Sequence, residues 1–281
     1  MALVKQHVQE EGRTEAIQSA RIPHSADRDL TSLQEELRLA GEVQRAMLPN
    51  PMPRMEGLSI DVLFRPADYV SGDIYAACRL DETHLGLALA DVTGHGLPAA
   101  LMTFFLKRGL RGREVANGQA RLCLPDEVLR RLNAELLEAN LDYCPYATAA
   151  YATYDRLSHR VSWARGGLPF PILVRPGRVA VQVRSQGSLL GAFEGAEFET
   201  ASIDLGVGDG VIFATDGLEA LLAYEESRLR HDDVSQTPWF GTLGHRPLRE
   251  SLAEIERRLE EAAPGSWPAD DVTVLALTRR F

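Results

Sequence analysis

Nine short apolar runs recur along the chain, each bounded by turn-forming residues: Leu58–Phe64, Ile74–Leu80, Leu85–Ala90, Ala147–Tyr154, Val161–Ala164, Pro171–Val174, Val179–Val183, Val211–Thr215 and Val272–Thr278. Runs of this length and setting read as strands. The links Asp81-Glu82-Thr83-His84, Arg156-Leu157-Ser158-His159 and Pro176-Gly177-Arg178 are short enough to be hairpin connections, so the strands they join are antiparallel. Helical patterns over Leu97–Gly112, Pro125–Ala139 and Pro247–Ala262 are long enough to cover sheet faces. Many antiparallel strands with a few long helices define an α+β layered domain.

The 281 residues leave room for one large domain, or for a medium domain with an N-terminal extension. Hydrophobic residues at 45% and charged ones at 25% are those of an ordinary globular protein. A formal charge of −10 argues against a nucleic-acid groove, which needs clustered Lys and Arg. An acidic protein acting on a phosphate has to neutralise it locally, and bound cations would do so. Cys78, Cys123 and Cys144 are too few and too far apart for a disulfide framework or a zinc site. The N-terminus has no apolar stretch after its positive charge, and no run approaches the ~20 apolar residues of a membrane span. These features read as a cytoplasmic protein with no membrane insertion.

Residues 1–29 are polar and read as an extension or linker. From 30 to 49 the pattern is that of an amphipathic helix: Leu30, Leu33, Leu37, Ala40 and Met47 form a stripe, Gln44 occupies one seam position, and Pro49 ends the run. Two readings of the stripe stand side by side. It packs on the following domain, or it pairs with a second copy in a homodimer. Residues 50–281 carry the strands and the chemistry.

A turn spanning Asp81 to His84 sets Ile74 opposite Asp91, with Asp73 one residue away, so two carboxylates meet at one end of a ribbon. Asp91 opens Asp91-Val92-Thr93-Gly94-His95-Gly96, a glycine-bearing turn leading into a helix with Pro98 in its first turn. A strand end, a tight turn and a helix start together make a place for an anion or a metal. In the second half Asp216 ends one strand and Asp270 begins another, so antiparallel pairing would bring both to one edge. Carboxylates so crowded raise one another's pKa, and divalent cations relieve this. Oxygen-only ligands point to Mg²⁺ or Mn²⁺. Singly, each aspartate reads equally well as a turn residue or a helix cap.

Taken together, the ordered segments 41–49, Val70-Ser71-Gly72-Asp73-Ile74-Tyr75, Ala90–Gly96, Trp163–Val174, Gly187–Gly191, Thr215-Asp216-Gly217 and Asp270-Asp271-Val272-Thr273 resemble the PP2C-like bacterial serine/threonine phosphatases of the SpoIIE/RsbU-type branch. The resemblance spans about residues 40–278. It implies an αββα sandwich of two antiparallel sheets flanked by helices, with 50–281 as the phosphatase domain. It also implies two divalent cations, Mn²⁺ or Mg²⁺, held by Asp73, Asp91, Asp216 and Asp270, with the Val92 carbonyl as a further ligand and Asp271 supporting from behind. The implied reaction is attack of a metal-activated water on phosphoserine or phosphothreonine, carried by a regulatory protein such as an anti-sigma-factor antagonist. Two segments depart from the pattern. Gly-Gly-Asp-Tyr-Tyr-Asp reads Ser71-Gly72-Asp73-Ile74-Tyr75-Ala76, and Asn-Ala-Gly-His-Pro-Pro-Pro reads Arg165-Gly166-Gly167-Leu168-Pro169-Phe170-Pro171.

His95 reads either as a proton donor to the leaving group or as a histidine in a glycine turn. Arg165 reads either as a contact for substrate phosphate or as a solvated side chain. Two other functions fit parts of the pattern: a pseudophosphatase that binds a sigma-pathway partner without turnover, and a two-metal nuclease, which the missing basic stripe disfavours.

Overall fold

The structure, a computed structural model, describes residues 24–116, 118–141, 146–225, 235, 237–261 and 270–281. The polar extension expected over 1–29 therefore lies outside the described residues up to position 23, and Cys144 lies outside them too. The chain divides into two units, Met1–Glu36 and Leu37–Phe281. The first contributes the opening turns of helix α1 (His24–Ala46), which starts earlier than the apolar stripe suggested and exposes Leu30 and Leu33.

The second unit holds the last turns of α1 and two five-stranded antiparallel sheets. In one, the order is β1 (Leu58–Arg65), β12 (Val272–Arg279), β11 (Gly210–Ala214), β8 (Ile172–Val174) and β9 (Val181–Gln182). In the other it is β10 (Ala201–Asp204), β7 (Arg160–Gly166), β6 (Ala147–Asp155), β3 (His84–Val92) and β2 (Asp73–Arg79). Helices α2 (Gly96–Gly109) and α3 (Pro125–Ala139) pack on the second sheet, while α4 (Asp216–Glu225) and α6 (Leu248–Glu261) pack on the first. A short α5 (Pro238–Thr242) adds Trp239 and Phe240 to the layer beneath α4 and α6. This is the expected αββα arrangement.

The period of two in the central strands explains the layers. Val211, Phe213, Leu275 and Leu277 face the other sheet, whereas Ile212, Ala214, Val274 and Ala276 face α4 and α6. Edge-on aromatic contacts join the sheets: Trp163 of β7 meets Phe213 of β11 at 6.3 Å, and Phe64 of β1 meets Tyr75 of β2 at 5.8 Å. Among the described residues no helix is long and apolar enough to cross a membrane.

All nine expected strands are present, but the first hairpin is tighter than expected. Its loop has three residues, because the Leu80 N–H donates to the His84 carbonyl at 2.9 Å. The Asp81 carboxylate accepts the N–H groups of Thr83 and His84, both at 2.7 Å, and so holds the turn. The register shifts by one residue, setting Ile74 opposite Ala90 and Asp73 directly opposite Asp91. Three strands carry too little apolar residue to stand out in the sequence: β4 (Arg113–Ala116), β5 (Gln119–Leu122) and β10. The Leu97–Gly112 helix stops at Gly109, and a Cβ at Gly112 would lie 1.7 Å from the Tyr151 hydroxyl.

Within this unit α1 turns Gly41 and Gln44 inward; just beyond the helix Leu48 is buried while Met47 is 42% exposed. Here the packing reading of the helix holds for residues 37–48, on a face rotated from the expected stripe. At Gly41 the helix crosses Tyr69 so closely that a Cβ would sit 2.0 Å from the Tyr69 carbonyl oxygen. Gly41→Ala is expected to destabilise the protein by about 1–3 kcal/mol through overpacking. Gly241→Ala, where a Cβ meets nothing within 4 Å, is expected to stay within about 0.5 kcal/mol of wild type. Urea unfolding of the two variants provides the comparison.

Candidate active site

The two halves of the chain deliver their aspartates to one edge of the sandwich. Asp73 opens β2 and pairs with Asp91 near the end of β3. On the other sheet the β11–β12 ladder continues past Ala214↔Val274, with the Thr215 N–H donating to the Thr273 carbonyl at 3.0 Å. Asp216 follows as the first residue of α4, and Asp270 lies two residues before β12. Gly217 is required beside Asp216, because a Cβ there would lie 2.0 Å from the Asp271 carbonyl oxygen.

Asp73 is 1% exposed, and its carboxylate is held by the other sheet. The Thr215 and Thr273 hydroxyls donate to its Oδ2 at 2.8 and 2.6 Å, and the Thr273 N–H donates to the Thr215 oxygen at 3.0 Å. Burial, and then the charge of Asp91, push the Asp73 carboxyl well above the usual range against these two hydrogen bonds. Asp91 is pushed up to about 7, by burial first and then by Asp216, Asp270 and Asp271, while a hydrogen bond from Thr148 of β6 opposes the shift. Burial also raises Asp270, with Asp216 and Asp271 adding to it and the Asp271 N–H opposing.

Asp271 grips the segment before β2. Its Oδ1 accepts the Ala67 N–H and its Oδ2 accepts the Gly72 N–H, both at 2.7 Å. Gly72 lies against Val92, whose N–H donates to the Gly72 carbonyl at 3.1 Å. A Cβ at Gly72 would stand 3.2 Å from the Val92 carbonyl oxygen and 3.6 Å from Asp91 Oδ1. From the opposite side buried Gln44 reads the neighbouring peptide: its Oε1 accepts the Ser71 N–H at 2.9 Å, and its Nε2 donates to the Ser71 carbonyl at 2.7 Å and to Thr103 Oγ1 at 3.2 Å.

His95 stands exposed at the N-cap of α2 and makes no side-chain capping bond. Arg165 is half-buried rather than freely solvated. Its guanidinium donates to the Ser185 and Leu168 carbonyls and lies 4.1 Å from the centroid of the Phe170 ring. The sequence reading gave no role to Thr215, Thr273, Thr148 or Gln44. The two threonines sit inside the quoted motifs, next to or near an aspartate, and that proximity was the available signal.

The donor set is entirely oxygen, crowded and negatively charged, which suits hard divalent cations. Among the described residues no three His, Cys, Asp or Glu side chains stand close enough, as placed, to hold an ion. Like charges at this edge repel, and a cation is what would offset that repulsion.

Comparison with known proteins assigns the class. The fold is that of PP2C phosphatase domains: the SiaA-PP2C domain of Pseudomonas aeruginosa superposes with a TM-score of 0.69 at 21% identity, covering 93% of this chain and all of that one. The RsbU and RsbW domains of a Mycobacterium tuberculosis protein give a TM-score of 0.61 at 25% identity, over 82% of this chain and 62% of that one. In sequence, residues 81–280 match the Stage II sporulation protein E (SpoIIE) family, and the chain belongs to that family. It is 27% identical over 187 residues to the phosphoserine phosphatase RsbU of Bacillus subtilis, covering 66% of this chain and 54% of RsbU. The chain thus spans about half the length of the curated relatives it matches.

Removing the Asp271 grip strands two backbone donors. Asp271→Ala is expected to cost about 1–3 kcal/mol, read from the denaturant midpoint. It should also speed hydrogen exchange at the Ala67 and Gly72 amides.

Proposed function

We propose that this chain is a metal-dependent protein serine/threonine phosphatase acting on phosphoserine or phosphothreonine of a regulatory protein in a sigma-factor pathway, an anti-sigma-factor antagonist being the natural substrate. The observation that carries the reading is the convergence of Asp73, Asp91, Asp216 and Asp270 from both sheets onto one edge, with Asp73 cross-linked between the sheets by Thr215 and Thr273. SpoIIE family membership and the likeness to RsbU support it.

In this reading Asp73, Asp91, Asp216, Asp270 and the Val92 carbonyl hold two cations, Mn²⁺ or Mg²⁺. Such ions, when bound, neutralise phosphoryl oxygens and supply an activated water. The protein's own part is positional. Thr215 and Thr273 fix Asp73, Thr148 orients Asp91, and Asp271 and Gln44 hold the Gly72 and Ser71 peptides between them. In the same reading His95, exposed beside the glycine turn, protonates the leaving oxygen, and Arg165 contacts the substrate beside its phosphoryl group.

The pseudophosphatase reading drew on the altered Ser71–Ala76 segment, in which Ala76 stands where the family motif carries its second acid. Ala76 lies three residues along β2 from Asp73, on the opposite face and about 10 Å away. That distance removes it from the aspartate edge, and catalysis is the better-supported reading.

With Mn²⁺ the full chain is expected to hydrolyse an aryl phosphate and a phosphoserine protein, and chelator should abolish both activities. Asp91→Asn should lower the rate more than about 100-fold. No turnover on either substrate would refute the phosphatase reading, and cleavage of added nucleic acid would favour the nuclease.

We also propose that the 30–49 helix pairs in a homodimer through the exposed Leu30 and Leu33. Sedimentation velocity should give a dimer for the full chain and a monomer for Leu30→Glu/Leu33→Glu. Equal, monomeric masses would exclude pairing.

A further inference from the structure

Beside the aspartate edge lies a cavity of about 370 Å³ lined by Thr148, Arg165, Phe170, Arg184, Asp216 and Glu219, among others. Two of these belong to both places: Thr148 hydrogen-bonds Asp91, and Asp216 is one of the converging carboxylates. Whatever sits over the aspartates therefore has this cavity as its immediate neighbour. Its other wall is cationic and aromatic. Arg165 stacks on Phe170 at 4.1 Å, and Arg184 approaches the same ring at 5.7 Å. The backbone carbonyls of Ser185 and Leu168 fix the Arg165 guanidinium, but among the described residues neither arginine is ion-paired with a carboxylate. Burial works against the charge of Arg165, which sits half out of water with no carboxylate partner among the described residues. Arg165 and Phe170 are also positions at which the chain departs from the Asn-Ala-Gly-His-Pro-Pro-Pro pattern.

Resting on the phosphatase reading above, we propose that the Arg165–Phe170–Arg184 pocket receives an acidic side chain of the substrate protein adjacent to its phosphorylated residue, making the enzyme selective for acid-flanked phosphosites. With Asp216 engaged at the aspartate edge, the pocket walls carry two guanidinium charges against Glu219. That surplus of one positive charge suits a carboxylate better than a dianionic phosphoryl group. Neighbouring residues of an extended peptide are 3.8 Å apart at Cα, so a side chain one or two positions from the phosphoserine reaches an adjoining cavity.

Fluorescence anisotropy with labelled peptides, identical except for Glu, Gln or Lys beside a serine or a phosphonate mimic of phosphoserine that cannot be hydrolysed, tests this on the full chain with Mn²⁺. The Glu peptides are expected to bind about tenfold tighter than the Gln peptides. Arg184→Glu should invert the ranking in favour of Lys. Glu and Gln peptides binding within twofold of each other, or a ranking unmoved by Arg184→Glu, would overturn the proposal. So would Arg184→Glu abolishing the effect of the phosphate in the Gln peptides, since the pocket would then hold the phosphoryl group itself. Aryl phosphate hydrolysis by wild type with Mn²⁺, measured separately, reports on the phosphatase reading alone.

Discussion

A carboxylate buried between two β-sheets is costly unless it is hydrogen-bonded, and the arrangement around Asp73 follows from meeting that requirement. Its partners, the Thr215 and Thr273 hydroxyls, come from the sheet opposite its own strand, and Thr273 also donates its N–H to Thr215. Three residues far apart in sequence thereby fix the lateral position of one sheet over the other. Once they are fixed, the aromatic contacts between the sheets fall into place, and the ends of β3, β11 and β12 arrive at the same edge. The aspartates at those ends are crowded because the sheets are aligned.

This crowding is supported from behind by side chains that hold the backbone. Asp271 and Gln44 approach the peptide units of Gly72 and Ser71 from two directions, leaving little freedom in the segment that presents Asp73. Gly41, Gly72 and Gly217 serve the same end by allowing backbones to approach where a Cβ would intrude. Rigid support of this kind lets several like charges stay near one another when repulsion alone would push their loops apart.

Much of this was legible in the sequence. The strand runs were bounded by turn residues, and the nearly continuous apolar character of Val211–Ala214 and Val272–Leu277 suits strands buried on both faces. Hairpin counting placed Asp73 beside Asp91 with an error of one residue. The error arose because counting assigns His84 to the turn, whereas the Asp81 carboxylate tightens the loop and releases His84 to the strand. Helix α4 was missed because Asp216-Gly217 looks like a turn, although Leu218, Leu221 and Leu222 already carried helical spacing. What no local pattern encodes is contact across the sandwich. Thr215 and Thr273 look like ordinary strand residues, and Gln44 looks like a polar interruption of an apolar stripe, until the fold brings each to its partner.

Gln44 carries a consequence of its own. The aspartate edge is ruled by charge, so its properties shift with proton and salt concentration. The amide that joins α1 to Ser71 has no charge to titrate or screen, and it uses both its donor and its acceptor. The helix therefore holds the Ser71 peptide with the same grip in dilute buffer as in concentrated salt, while the more exposed carboxylates of the edge feel the ions around them.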